Sequence, residues 1–336
     1  MNDNASDAPP SPAREQPDRG PDPRWLTWTV RAVSAAGVAV CVWAAITGWG
    51  AIVHGYPLYA ILLAATLVVA LAIGLRALRG RQSRTGWRRV GRVALLVASV
   101  VWIALMAWLR PFSAQEPALA AMKSDASVTV SETPTQIVMT PATNAGTTAV
   151  FFQPGAKVEA RAYAAVLRPL AEAGYTVVIP KQPLGIAFLA IGAFESAKPH
   201  FPAMTQWVVG GHSLGGTVAS MEANAGDTDA AAPVVGLLLY ASYPASDISS
   251  SLSSTVLSVS GSHDGLATPA DIAASEANLP AGTEFTVIQG AVHAYFGDYG
   301  PQPGDGVPTI SHDEARHQIS DASVGFVRAI SHKNDY

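Results

Sequence analysis

The sequence predicts an α/β fold, a mostly parallel sheet with helices on both faces, preceded by three transmembrane α-helices. Two observations carry the prediction. The first 110 residues hold three uncharged apolar runs of membrane-crossing length, and the last 200 alternate short β-patterned runs with helical ones. Charge divides at the same place: residues 1–122 carry twelve Arg, no Lys and six acids, whereas residues 123–336 carry nine basic and nineteen acidic residues. The whole chain is 49% hydrophobic and 14% charged, against about 25% charged in an ordinary soluble domain. That composition excludes a disordered chain, one cysteine excludes a disulfide scaffold, and a net charge of −4 gives no basis for nucleic-acid binding.

Residues 1–24 are rich in Pro, Asp and Ser without apolar periodicity and read as a disordered cytoplasmic tail. A membrane domain follows over 25–110, with spans at 32–53, 58–75 and 93–109. At 1.5 Å per residue each run covers, or nearly covers, about 30 Å of hydrocarbon, and all exceed the ~10–14 residues of a core helix. The third is the shortest and is extended if Arg92 snorkels to the headgroups. Trp25, Trp28, Trp49, Tyr56, Tyr59, Trp87 and Trp108 cluster at the run ends, where amphipathic rings favour the interface. The start of the chain lacks the short basic-then-apolar pattern of a signal peptide. Arg14, Arg19, Arg24 and Arg31 precede the first span, and Arg76, Arg79, Arg81, Arg84, Arg88, Arg89 and Arg92 fill the second loop, while the loop around His54–Pro57 has no arginine. Positive loops stay inside, so the expected protein is a multi-pass plasma-membrane protein with its N-terminus cytoplasmic and everything after Arg110 outside. Cys41 lies in the first span, leaving the exported part without a thiol.

Residues 111–126 read as a linker, 127–331 as the α/β domain and 332–336 as a tail. Strands are expected at 127–133, 136–140, 147–152, 176–179, 207–210, 236–242, 256–260 and 284–289. Helices are expected at 159–173, closed by Gly174, and at 184–194, 214–224, 269–278 and 311–331. Trp207 and Phe188 read as core-packing residues.

The sharpest chemical signal is Gly211-His212-Ser213-Leu214-Gly215-Gly216, a G-x-S-x-G between an apolar strand and a small-residue helix. Gly-Ser-rich turns produce the bare pattern by chance; the strand–turn–helix setting gives it chemical meaning. A serine lifted on a strained turn needs glycines beside it, and the helix that follows offers free N–H groups to developing negative charge. In this nucleophile elbow His212 points sideways, packing against or bonding the turn. A serine nucleophile needs a base and a group to orient that base. Of His200, His263, His293, His312 and His317, His293 directly follows the last strand, at the sheet end where the elbow stands. Asp264 follows strand 256–260 at that same end, and Ser213, Asp264, His293 occur in the order such an elbow predicts. One oxyanion donor is expected at the Leu214 amide and the other in the loop after strand 147–152, where Pro154 has no N–H and Ala156 does.

Gly211–Gly216, Asp264 and His293, with Pro154-Gly155-Ala156, resemble the α/β-hydrolase superfamily over roughly residues 127–331. Ala241-Ser242-Tyr243-Pro244 and His293–Gly300 are similar to its lid-poor, dienelactone-hydrolase-like esterases. The oxyanion loop departs from the more usual His-Gly, with Pro154-Gly155 in its place. The resemblance implies acyl transfer to water by a Ser-Asp-His triad, with no metal or cofactor and a small-molecule ester or similar acyl substrate. Many relatives insert a cap domain between strands where only thirteen residues separate Ser242 from Val256 here, so the expected pocket is open. The rival expectations are a catalytically silent hydrolase fold used as a membrane-tethered binding module, and a calcium loop at Asp298, Asp305 and Asp313. The spacing of the last set matches no calcium motif, so turn chemistry is the reading for it.

Overall fold

The structure, a computed structural model, describes residues 24–79, 87–229 and 231–333, and the side chains of these except at 87–89 and 332–333. The expected tail up to residue 23, Arg81, Arg84 and the last three residues lie outside the described residues. The fold separates into two compact units, Met1–Val40 with Thr66–Leu105 and Cys41–Ala65 with Met106–Tyr336.

Three long helices open the chain: α1 (Arg24–His54), α2 (Pro57–Arg79) and α3 (Trp87–Trp108). All three, the last counted from Val90, are long and apolar enough to cross a membrane. Pro57 at the first position of α2 supplies a preset φ where no N–H is needed. In the first unit, a Cβ on Gly37 would stand 3.1 Å from the Ala70 Cβ, so small residues let these helices approach closely. Trp102 Nε1 donates to Thr66 Oγ1 (2.9 Å), and the Arg31 guanidinium donates to the Ala77 carbonyl (2.9 Å).

In the second unit, the chain leaving α3 forms a short bridge from Phe112 to Val158 and a single turn, α4 (Ala118–Ala121). The sheet is then built from β1 (Val128–Glu132), β2 (Gln136–Pro141), β3 (Thr148–Gln153), β4 (Thr176–Pro180), β5 (Gln206–His212), β6 (Val234–Tyr240), β7 (Thr255–Gly261) and β8 (Glu284–Ile288). Its order is β1-β2-β4-β3-β5-β6-β7-β8, antiparallel at β1–β2 and β2–β4 and parallel elsewhere. The crossovers hold α5 (Ala164–Glu172), α6 (Ala193–Ala197), α7 (Leu214–Gly226) and α8 (Pro269–Ser275), and α9 (His312–Lys333) follows the last strand. Strand alternation sorts side chains to two cores. Val150, Phe152, Val208 and Leu238 face α5 and α9, while Phe151, Trp207, Val209 and Leu239 face α7. Thr268 begins α8 with a reciprocal capping box to Asp271.

The helix expected over 184–194 does not form. Its residues make two 3₁₀ turns, Pro183–Gly185 and Ala187–Ala190, and only Ala193–Ala197 is helical. Leu184 (φ 55°) and Gly192 (φ 86°) both turn left-handed, and a Cβ on Gly185 would lie 2.7 Å from the Lys157 Cα. Close packing of that backbone overrides the apolar periodicity. Phe188 is 44% exposed, not packed in the core, whereas Trp207 is fully buried against Phe194 and Phe201.

Candidate active site

The parallel strands β5, β7 and β8 deliver the candidate residues to one end of the sheet. Ser213 follows β5 at φ 52° and ψ −125°, a strained turn that an L-residue keeps only when its surroundings hold it. Those surroundings are visible. The Ser213 amide donates to the Tyr240 carbonyl (3.0 Å), and its carbonyl accepts from Ser242 Oγ (2.6 Å) and the Gly216 amide (2.9 Å). A Cβ on Gly215 would strike the carbonyl oxygens of Gln153 and Pro154, and one on Gly211 would strike the Gly215 carbonyl. Glycine is therefore required for the elbow to lie against the 153–156 loop.

His293 opens a 3₁₀ turn after β8, and Asp264 lies just beyond β7. Both are buried, and His293 Nδ1–H donates to Asp264 Oδ2 (2.8 Å). The other Asp264 oxygen accepts the amides of Leu266 and Ala267, each at 2.8 Å. The carboxylate is thus held in place by three donors, and its position fixes the imidazole tautomer. His293 Nε2 is left as the free lone pair, buried and with no hydrogen-bond partner among the described residues. Beside Ser213, the His212 ring lies 4.5 Å from that of His293, so His293 packs against the turn that carries the serine.

His212 does pack sideways. It is buried between His293 and Phe296, and burial, with His293 nearby, drives its pKa well below the usual imidazole value, so it is neutral. The Tyr163 hydroxyl accepts the Gly155 amide (2.8 Å) and shares a hydrogen bond with His212 Nδ1 (2.8 Å). One phenol thereby ties the elbow to the 153–156 loop. The amides of Leu214 and Ala156 make no hydrogen bond among the described residues and remain available as donors.

Several contributors carry no local signal in the sequence. Gln153 Nε2 donates to both oxygens of buried Glu222 on α7 (3.0 and 3.1 Å), and Gln182 Nε2 donates to Gln153 Oε1 (2.9 Å) and to the Pro154 carbonyl (3.0 Å). Burial outweighs those donors and raises the Glu222 carboxyl to about 7. Asp305 accepts from the amides of His293 (3.1 Å), Ala294 (2.8 Å), Gly306 (2.7 Å) and Gly265 (3.2 Å), joining the loops of Asp264 and His293. Asp298 and Asp313 instead pair with Arg316 (2.5 and 2.6 Å), so the three aspartates do not converge on a cation site. Among the described residues no group of three or more His, Cys, Asp or Glu could hold a metal ion.

A model of the alpha/beta hydrolase family matches residues 149–317. No curated protein matches the chain. Among solved structures, a thermostable esterase from Pseudomonas putida is 15% identical, covering 61% of this chain and 84% of that one, with a TM-score of 0.43. A dienelactone hydrolase from Anabaena variabilis is 16% identical over 58% of this chain and 91% of that one (TM-score 0.44). An alpha-beta serine hydrolase homologue from Coxiella burnetii is 15% identical over 59% and 98% (TM-score 0.40).

Proposed function

The chain belongs to the alpha/beta hydrolase family, and we propose that it is a membrane-anchored serine hydrolase that cleaves carboxylic esters outside the cytoplasm. The observation that carries this reading is the joint placement of a left-handed Ser213 after β5 and a buried His293–Asp264 hydrogen bond at the same sheet end. In the proposed reaction Ser213 Oγ attacks the ester carbonyl carbon while His293 Nε2 takes the hydroxyl proton. Asp264 holds the imidazole by Nδ1 and stabilises the cation that forms. The amides of Leu214 and Ala156 receive the negative charge on the tetrahedral oxygen. His293 returns the proton to the departing alkoxide, which leaves as the alcohol. Water, deprotonated in turn by His293, then attacks the acyl-serine, and the acid is released as Ser213 recovers its proton. One ester and one water thus give one acid and one alcohol.

The anchor is the set of three apolar helices, and the arginine distribution supports a cytoplasmic N-terminus in the plasma membrane. A fluorophosphonate probe tests the chemistry directly. Labelling should map to Ser213, and Ser213→Ala should lose both labelling and p-nitrophenyl acetate hydrolysis, about 10³-fold or more. Retained hydrolysis in that variant overturns the nucleophile assignment. Absence of labelling in the native chain would leave the fold as a tethered binding module.

A further inference from the structure

We infer that the site takes its ester from the bilayer surface: the substrate is a membrane-resident amphiphile whose acyl chain stays in lipid while its carbonyl enters the site. This rests on the hydrolase reading above and adds the source and class of the substrate.

The first observation is where the oxyanion loop is fastened. Lys157, next to Ala156, donates from Nζ to the Trp108 carbonyl (2.9 Å) and stands 4.5 Å from the Trp108 ring. The Phe112 amide donates to the Lys157 carbonyl (2.7 Å), and the Glu159 amide returns a bond to the Phe112 carbonyl (3.0 Å). Trp108 ends the third apolar helix, and a tryptophan at such an end sits at headgroup level. Ala156 precedes Lys157 by one residue, about 3.8 Å along the chain. The amide proposed to bind the oxyanion is therefore within a side chain's reach of the lipid headgroups.

The second observation is the lip beside that loop. The Lys157 amide donates to the Gly185 carbonyl (2.6 Å), and the chain that continues from Gly185 exposes Leu189 and Ile191 at 55% each, with Phe188 at 44%. An apolar cluster of this kind gains nothing in water and marks a contact surface. Leu189 and Ile191 line a cavity of about 400 Å³ together with Tyr56, from the turn joining the first two apolar helices. The lip thus continues the surface that the helix ends present to the interface. The third observation is on the β6–β7 connection, where a cap would be inserted. Ile248 and Leu252 of that segment are buried into the α7-side core, so it lies flat instead of roofing the site.

The full chain in phosphatidylcholine vesicles, given p-nitrophenyl palmitate in the bilayer or p-nitrophenyl acetate in water, tests the inference. Palmitate cleavage should follow the mole fraction of ester in the bilayer and not its bulk concentration. Leu189→Ser with Ile191→Ser should lower the palmitate-to-acetate rate ratio about tenfold or more. Acetate cleavage that depends on Ser213, with no cleavage of vesicle palmitate, overturns this inference and leaves the hydrolase reading standing. So does an unchanged ratio in the double variant. Failure to cleave either ester, with Ser213 unlabelled, removes the hydrolase reading and this inference with it. If the double variant fails to fold, the mole-fraction dependence of the native chain decides.

Discussion

Glu222 is a carboxyl buried where a charge is costly. A carboxyl on α7 that ionises near 4.5 in an open chain is raised to about 7 because burial costs more than the two Gln153 donors return. The folded-state value is raised, so its contribution to stability is full below about pH 4.5 and is lost as pH climbs through about 7. At about 1.4 kcal/mol for each pH unit separating the two values, the loss is on the order of 3 kcal/mol. Glu222→Gln keeps an acceptor for Gln153 and removes the titration. Its melting temperature should stay nearly level from pH 5 to pH 8 while that of the native chain falls by roughly 5–10 °C. Parallel declines in the two proteins would sink the account. None of this is legible in the sequence, because Gln153 lies 69 residues from Glu222 and no local pattern pairs them. Ser213, Asp264 and His293 are legible as candidates because each follows a strand, and strands announce themselves by their apolar runs.

Loops are the elements that assemble the site, and Asp305 shows how. Its two oxygens gather three amides at or beside Asp264 and His293, and that of the adjacent Gly306, so one side chain sets the register between the proposed acid and base. Asp305→Ala should lower kcat/KM about 10²-fold with little change in KM, since the imidazole shifts while the pocket remains. Asp305→Asn, which keeps one accepting oxygen, should recover part of it, and equal loss in both variants would contradict the positioning role. In the sequence Asp305 reads as ordinary turn chemistry, which is locally right and incomplete, because turn residues reveal nothing of distant partners. The same limit explains the segment at 184–194. Its apolar spacing suits a helix, yet Gly185 and Gly192 and the tight approach to Lys157 bend it into turns. Strands and the helices α5, α7, α8 and α9 are readable because buried faces impose a period; exposed turns impose none.

At the scale of the molecule, charge and hydropathy divide a basic, apolar N-terminal part from an acidic C-terminal one. The orientation this implies has a direct check. Ala126 is exposed just before β1, and the only native cysteine, Cys41, is buried. Ala126→Cys should react with a membrane-impermeant maleimide on intact cells, and labelling confined to lysed cells would reverse the topology. The three apolar helices are legible because hydrocarbon demands a long run with hardly a charge in it, whereas a core-packed helix of the same length, α9, carries charged residues along its exposed face. One further consequence comes from α9. Ser320 bonds the Val166 carbonyl on α5, Ser323 meets the Tyr240 hydroxyl on the sheet, and Ala315, Ile319, Val327 and Ile330 are buried between them. The wall that closes the core on this face is thus supplied by α9, which follows every strand of the sheet in the chain. With the proposed orientation, the polypeptide crosses the export channel as an unfinished chain, and the core closes only after residue 330 has emerged. In that orientation the strands leave the cytoplasm ahead of the helix that covers them, so their apolar residues on this face stay uncovered until α9 joins them.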